Sequence, residues 1–175
     1  MVTVTLRPWA AGDLDLLFRA NAENMTEHIG GPESDNEVRA RHHKYLRFWR
    51  EGGARMFTIL ADGERVGGIG WWTTQWRGEH VQETGWFVIP EAQRQGIAGA
   101  ATALIIDDAV RFGVNRLLTA SPSIHNVASN ALCERSGFTR GGVETFPFRG
   151  TELTVTMWTL NLEALRHKTG REPRY

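Results

Sequence analysis

The amino-acid sequence predicts a single domain of mixed α/β (α+β) class, and three features of the chain point to it. Strand-like and helix-like stretches alternate along most of its length, a glycine-containing loop joins a strand to a helix, and no repeat or linker divides the chain. With 175 residues, 41% of them hydrophobic, the chain has the length of one domain and can bury a substantial core. We expect this domain over residues 1–162, followed by a polar C-terminal tail over 163–175 that is disordered from Arg166 onward.

The first part of the chain predicts a strand and two helices. Val2 to Leu6 alternates as a strand does, and Ala11 to Ala20 has the pattern of a short helix. Ser34 and Glu37 have the spacing of a capping box, which predicts the start of a longer helix that ends at Gly52-Gly53. Along that helix, apolar side chains recur at three- and four-residue spacing and form one face: Val38, His42, Tyr45, Leu46 and Trp49.

The remainder of the chain predicts further strands around one long helix. Residues 56–61 and 66–73 are two strand-like runs joined by Asp62-Gly63, which is a strong hairpin signal. We expect residues 82–89 to form the central strand, followed by a helix and a parallel strand. An antiparallel pair should then close the sheet; these later elements are the helix 99–112 and the strands 116–121, 139–146 and 151–160.

Composition and charge exclude several classes of function. Basic and acidic residues both number 20, so the chain has no overall basic field of the kind that attracts nucleic acid. One cysteine rules out an intrachain disulfide, and six histidines without paired cysteines predict no metal site. The first residues lack the pattern of a signal peptide, and no apolar run is long enough to cross a bilayer, so we expect a cytoplasmic protein without a membrane partner.

The loop Gln93–Ala98, between the central strand and its helix, has the character of a phosphate site. A small-residue loop at a helix start leaves main-chain N–H groups unpaired, and the positive end of the helix dipole lies behind them. The loop lacks the Gly-Lys-Ser/Thr ending of ATP-binding loops, and it lacks the glycine spacing of NAD-binding loops. Taken alone, the same residues also fit an ordinary connection between a strand and a helix.

Two motifs together resemble the GCN5-related N-acetyltransferase (GNAT) superfamily. Gln93, Gly96 and Ala98 match the Q/R-x-x-G-x-G/A loop of that family, and residues 126–138 resemble its second hallmark, N-x-x-S/A followed by E-K/R-x-G-F. The similarity extends upstream to Glu83 and covers about residues 3–160. The residues of these motifs are most similar to those of the branch that includes ribosomal-protein N-terminal and antibiotic acetyltransferases.

The resemblance implies a fold and an activity. The GNAT fold would have a mixed central sheet of about six to seven strands, with splayed central parallel strands, flanked by about four helices. The activity would be acetyl transfer from acetyl-CoA, used without a metal, to a primary amine by direct attack in a ternary complex. The acceptor would be a small amine, an amino sugar or a protein N-terminus; a non-catalytic acyl-CoA sensor is the alternative, and a homodimer stays open.

The resemblance also implies a set of cofactor-binding residues. The main chain of Phe87 and Val88 would bind the pantetheine arm and polarise the acetyl carbonyl, an arrangement in which oriented donors stabilise developing charge. Asn126 and Ser129 would contact the same arm. The main-chain N–H groups of residues 95–99 would bind the pyrophosphate, and the cofactor-binding residues of the loop are Gln93, Arg94, Gln95, Gly96, Ile97, Ala98 and Gly99.

Catalytic candidates follow from the same comparison. Glu83 matches an acidic residue that often starts this strand in the family and is the first candidate base, directly or through a water, although a solvated or ion-paired carboxylate is an equal alternative; Glu79 and His80 are the next candidates. Many family members carry a tyrosine acid where this chain has Cys133. Ser129 is the other candidate acid, and a buried core position is the alternative for Cys133.

Aromatic residues point to an acceptor site. The chain has seven tryptophans, and core packing explains at least half of them. An aromatic wall could otherwise bind a cationic or ring-bearing acceptor. The candidates are Trp72, Trp76 and Trp86, together with Glu27 and His28 in the early segment.

Overall fold

A computed structural model describes residues 1–171 and contains one seven-stranded mixed sheet. The strands are β1 (Val4–Pro8), β2 (Ala54–Ala61), β3 (Glu64–Trp76), β4 (Glu79–Val88), β5 (Leu117–Ala120), β6 (Thr139–Phe148) and β7 (Thr151–Asn161). They lie in the order β1-β2-β3-β4-β5-β7-β6. Neighbouring strands are antiparallel except β4 and β5, which are parallel. The predicted fold class is confirmed.

Residues 1–171 also form six α-helices. These are α1 (Leu14–Ala20), α2 (Glu23–Thr26), α3 (Asp35–Glu51), α4 (Ile97–Phe112), α5 (Val127–Arg135) and α6 (Leu162–Thr169). The sequence predicted about four. The two additional helices are α2, whose four residues are too few to show a helical period, and α6, which falls in the predicted tail.

The capping box predicted at the start of α3 is confirmed. The main-chain N–H of Ser34 donates to the Glu37 carboxylate at 2.8 Å, and the N–H of Glu37 donates to Ser34 Oγ at 3.4 Å. The apolar face of α3 packs on the sheet, with Val38 and His42 buried. His42 is accommodated there because its Nδ1 accepts a hydrogen bond from Trp9 Nε1 at 3.0 Å.

The two parallel strands separate near the middle of the sheet. Only Gln82 and Glu83 of β4 pair with β5, opposite Leu118 and Thr119. Beyond Glu83, β4 continues to Val88 but is paired within the described chain only with β3. The carboxyl ends of β4 and β5 therefore diverge, which is the splay that the sequence resemblance implied.

The C-terminal helix corrects one prediction. The segment from Arg166 onward was expected to be disordered, but Arg166 lies in α6 and is 8% exposed. Its guanidinium donates to the carbonyl oxygens of Val110 at 3.0 Å and Gly113 at 2.6 Å, where it satisfies acceptors at the end of α4. A polar tail and a helix with one buried arginine look alike in sequence. Residues 172–175 lie outside the described residues.

None of the helices within residues 1–171 has both the length and the apolar character needed to span a bilayer.

A buried carboxylate ties the first turn of the chain to the sheet. Asp13 is 1% exposed, and its Oδ2 accepts from Thr58 Oγ1 at 2.7 Å and from the Ala10 N–H at 2.8 Å. Its Oδ1 accepts from Arg7 at 2.8 Å and from Arg65 at 3.3 Å. Burial by itself would raise the pKa of Asp13, but these hydrogen bonds outweigh it and hold the pKa below its usual value of 3.8.

Replacing this carboxylate should change how the unfolding free energy depends on pH in the acidic range. Because the folded-state pKa of Asp13 is lowered, its contribution is complete above the unfolded-state pKa, near 4, and is lost as the pH falls through the folded value. We expect Asp13→Asn to cost about 2–4 kcal/mol of unfolding free energy near neutral pH. The difference in unfolding free energy between wild type and Asp13→Asn should become smaller below about pH 4. Urea unfolding at a series of pH values measures it.

Asp15→Asn is the matched control, because Asp15 also pairs with Arg65 at 2.8 Å but its side chain is 53% exposed. It should change stability by less than about 1 kcal/mol. A difference between Asp13→Asn and wild type that stays constant from neutral pH to about pH 3 would contradict the assignment.

Candidate active site

A cavity of about 640 Å³ opens at the carboxyl end of β4. Its wall comes from four parts of the chain that are distant in sequence: α2 and the turn after it, the last residues of β4, the loop into α4, and one face of α5. The space lies where β4 continues beyond its pairing with β5, and residues of α5 line the same cavity as the end of β4.

The loop into α4 presents main-chain donors to the cavity. Arg94 and Gly96 have positive φ angles of 62° and 77°, so the chain turns sharply before the helix. The first main-chain hydrogen bond of α4 runs from the Ala100 N–H to the Gly96 carbonyl at 3.1 Å. Within the described chain, the N–H groups of residues 97 to 99 thus have no main-chain acceptor. This is the anion-binding geometry of a helix N-terminus.

Most residues predicted to bind the cofactor line the cavity. The exception is Gln95, which lies outside it and donates from Nε2 to the Glu91 carbonyl at 3.3 Å. The lining residues are Phe87, Val88, Gln93, Arg94, Gly96, Ile97, Ala98, Gly99, Asn126 and Ser129.

Gln93 braces the loop against the strand. Its Nε2 donates to the Val88 carbonyl at 2.9 Å and lies 3.3 Å from Met25 Sδ. The first position of the loop motif therefore connects three walls of the cavity, and the Val88 carbonyl already has a donor from within the chain.

Two polar residues at the start of α5 have different roles: Asn126 caps the helix, and Ser129 lines the cavity. Asn126 caps the helix, because its Oδ1 accepts from the Ser129 N–H at 3.0 Å, as predicted. The Ser129 hydroxyl lines the cavity and makes no hydrogen bond within residues 1–171, although a hydroxyl in the first turn commonly bonds to the main chain. It is therefore free to bond to a ligand.

Cys133 does not belong to the site, which corrects its inclusion among the catalytic candidates. The side chain is fully buried in the hydrophobic core, and it is not among the cavity residues. Burial raises the pKa of the Cys133 thiol to about 12. Cys133 is therefore a core residue, which is the alternative that the sequence left open.

Glu83 lies where the two parallel strands part. It is the last residue of β4 opposite β5, and its Oε1 accepts from Ser121 Oγ at 2.9 Å. Glu83 does not line the cavity. Because side chains alternate along a strand, Glu83 lies on the same face of β4 as Phe87, which does line the cavity. Of the other candidates, Glu79 pairs with Arg116 at 3.2 Å and His80 is exposed, both at the opposite end of β4.

The acceptor candidates divide into two groups. Glu27, His28 and Trp86 line the cavity, and Glu27 Oε1 lies 3.4 Å from His28 Nε2. Trp72 and Trp76 do not line it.

The two tryptophans outside the cavity are held by other contacts. The Trp72 ring covers Gly85 so closely that a Cβ there would lie 2.9 Å from it. The Trp76 indole donates to the Glu144 carboxylate of β6 at 3.1 Å. Trp72 and Trp76 therefore lie outside this cavity, and their role in binding the acceptor stays a prediction.

The turn between β6 and β7 docks beside the cavity wall. Arg149 in that turn donates to the Gly31 carbonyl at 3.1 Å and contacts the Glu33 carboxylate. Arg41 of α3 also contacts that carboxylate, at 3.1 Å. These contacts fix the segment that follows Glu27 and His28, two residues of the cavity wall.

Sequence reasoning missed several residues of this region. Met25 sits in the short α2, and Ser121 bonds to Glu83 from 38 residues away, so neither carries a local signal. Arg135 carries one. It belongs to a helical face that could have been recognised from i, i+3, i+4, i+7 spacing, and that lines the cavity: Ala128, Ala131, Leu132 and Arg135.

Residues 1–171 contain no group of three or more histidine, cysteine or acidic side chains arranged to hold a metal ion.

Comparison with known proteins identifies a family for most of the chain. Residues 3–139 match the model of a family described as an acetyltransferase (GNAT) domain. No curated protein matches the chain significantly.

Solved structures of acetyltransferases share the fold. RimL, a ribosomal α-N-protein acetyltransferase in complex with coenzyme A, is 21% identical with a TM-score of 0.75, over 93% of this chain and 96% of that chain. A spermidine N-acetyltransferase from Vibrio cholerae, with CoA and spermine, is 20% identical with a TM-score of 0.72, over 91% and 96%. An aminoglycoside acetyltransferase with coenzyme A is 18% identical with a TM-score of 0.72, over 95% and 99%. At these identities the likeness concerns the fold.

Proposed function

Because the chain belongs to the acetyltransferase (GNAT) domain family, we propose that it transfers the acetyl group of acetyl-CoA to a primary amine by direct attack in a ternary complex. The family match makes it an acetyl-CoA-dependent N-acetyltransferase, whereas the acceptor and the acting residues are proposed here. The observation that carries the proposal is the continuous cavity from the start of α4, past the end of β4, to the Ser129 hydroxyl.

The cofactor fits the chemistry of this cavity. The free N–H groups of Ile97, Ala98 and Gly99, with the dipole of a 16-residue helix behind them, suit the pyrophosphate. The pantetheine arm would then run along the end of β4, beside Phe87 and Val88. Main-chain donors there would polarise the acetyl carbonyl without reorganising during the reaction.

Two proton transfers accompany the reaction. The amine nitrogen attacks the thioester carbonyl carbon, the C–S bond breaks, and the amine proton leaves while the CoA sulfur gains one. Glu83 would accept the amine proton through a water, since it lies outside the cavity wall. Ser129, whose hydroxyl has no partner within residues 1–171, would donate its proton to the departing sulfur and regain one from solvent, while Glu83 releases the amine proton to solvent.

The acceptor is a small amine, an amino sugar or a protein N-terminus. The neighbouring structures come from enzymes named for such acceptors: a ribosomal protein N-terminus, spermidine and aminoglycosides. In this chain the wall on that side contains Glu27, His28 and Trp86, a carboxylate and aromatic rings that suit a cationic amine.

The test begins with a calorimetric titration of the protein with acetyl-CoA, using ATP and NAD as controls. A screen of primary amines follows, in which released CoA thiol is measured. Selective acetyl-CoA binding with amine-dependent thiol release supports the enzyme. Tight binding without turnover on any amine class would instead favour the sensor, and absence of binding up to millimolar concentrations would overturn both.

Kinetics with two amines of different pKa should distinguish the contribution of the base, Glu83, from that of the acid, Ser129. Deprotonating an α-amine of pKa about 8 at pH 7.5 costs under about 1 kcal/mol, but a lysine-like amine costs roughly 4 kcal/mol. We therefore expect Glu83→Gln to lower kcat/KM for a lysine-like amine by about 10²–10⁴-fold, and to affect an α-amine far less. Ser129→Ala should lower kcat for both amines about equally. The measurement is steady-state kinetics with each amine.

Glu79→Gln is the matched control, at the other end of the same strand. It should leave kcat/KM within about twofold, because Glu79 forms only an exposed pair with Arg116. Equal losses in Glu79→Gln and Glu83→Gln, or a loss in acetyl-CoA affinity that accounts for the whole effect, would remove Glu83 from the role of base.

A further inference from the structure

Two arginines that line the cavity have no partner within residues 1–171. Arg94 extends from the loop before α4, and Arg135 from the last turn of α5, so they come from different walls. Within residues 1–171 neither guanidinium makes a hydrogen bond, an ion pair or a ring contact. Both are exposed. Among the described residues, the cavity therefore has two arginine side chains without a partner.

This state is unusual among the arginines of the described chain. Most of them form ion pairs or lie over aromatic rings, as Arg55 does with both Asp108 and Trp49. Those without any such contact in residues 1–171 are Arg50, Arg94, Arg135 and Arg140. Two of these four line the same cavity, in which Glu27 is the one acidic lining residue of the described chain, and Glu27 already contacts His28.

Free guanidinium groups in a cavity favour a phosphate ligand, since the planar fork of donors matches phosphate oxygens. Coenzyme A carries three phosphate groups: two in the pyrophosphate and one as a monoester at the 3′ position of the ribose. The pyrophosphate is accounted for by the N–H groups at the start of α4. The monoester has about −1.5 to −2 charges at neutral pH and needs cations of its own.

The geometry points to a subsite, formed by Arg135 with support from Arg94, that binds the 3′-phosphate of the cofactor and selects CoA over its 3′-dephospho form. This inference rests on the proposed function, since it assumes that acetyl-CoA occupies the cavity. It gives a role to the arginine of the E-R-S-G-F segment, to which the sequence assigned none.

A purely structural role for Arg135 makes a different prediction. A cation in the last turn of a helix stabilises the helix dipole, and Arg135 occupies that position in α5. Its loss would then lower the unfolding temperature and weaken all ligands alike. A phosphate subsite instead changes the ratio between two ligands that differ only in the 3′-phosphate.

The experiment is isothermal titration of wild type, Arg135→Ala, Arg94→Ala and Arg140→Ala with acetyl-CoA and with 3′-dephospho-acetyl-CoA. Arg140→Ala is the matched control, because Arg140 also has no side-chain partner in the described part of the chain but lies in β6, outside the cavity. Wild type should bind acetyl-CoA about 10- to 100-fold more tightly than the dephospho form. Arg135→Ala should lose most of that ratio while its affinity for the dephospho form stays within about twofold.

The outcomes separate the subsite from the proposed function. A smaller loss of the ratio in Arg94→Ala, and an unchanged ratio in Arg140→Ala, would support the subsite. Equal wild-type affinity for the two ligands, or an equal loss for both in Arg135→Ala, would overturn the subsite and leave the acetyltransferase intact. Failure of wild type to bind either ligand would overturn both.

Discussion

Replacing Gly96 with valine is expected to abolish acetyl-CoA binding, with an affinity loss of at least about 100-fold. Gly96 has a φ of 77° at the turn into α4, and a Cβ there would meet no atom of the protein within 4 Å. The fold itself thus leaves space for a side chain. The space lies beside the N–H groups at the start of α4, where a phosphate must approach the main chain, and a β-branched residue also resists a positive φ.

The control for strain is Gly170→Val. Gly170 has a similar φ of 65° at the end of α6, where an added Cβ would also meet no atom within 4 Å, and it lies outside the cavity. Both variants should lose about 1–3 kcal/mol of stability from the left-handed backbone. Only Gly96→Val should lose acetyl-CoA affinity by calorimetry, and near wild-type affinity in that variant would remove the loop from the phosphate site.

Gly67→Ala is expected to have the largest effect on stability, about 3–5 kcal/mol. A Cβ at Gly67 would lie 2.1 Å from the carbonyl oxygen of Phe87 and 3.1 Å from the Val88 Cα. Both atoms belong to the main chain of β4 and cannot rotate away as a side chain can. The two strands would have to move apart, and Phe87 and Val88 would be displaced from the cavity that they line.

Urea unfolding and acetyl-CoA titration measure the two consequences together. The comparison variant is Gly12→Ala, where an added Cβ meets nothing within 4 Å and no positive φ is required. It should stay within about 0.5 kcal/mol of wild type. A Gly67→Ala protein of wild-type stability would show that β3 and β4 can separate without loss, contrary to the close approach in the structure.

The sequence determined the fold class and the local structure of the loop at the start of α4. Local signals were sufficient there because each is complete within a few residues. Ser34 and Glu37 cap a helix by contacts with each other, Asn126 caps α5 through Ser129, and the loop around Gly96 exposes the first N–H groups of the helix that it begins. Such contacts join residues that are close in sequence, so they can be recognised from the sequence alone.

Only the tertiary structure decided which side chains are free to act. Cys133 and Ser129 lie on the same short helix, yet one faces the core and the other the cavity. Trp76 is held by Glu144, Glu83 by Ser121, and Arg166 by the end of α4, each across a long stretch of chain. The physical reason is that burial and hydrogen-bond partners are set by segments far apart in sequence, and these determine whether a cation, hydroxyl or carboxylate is available to a ligand.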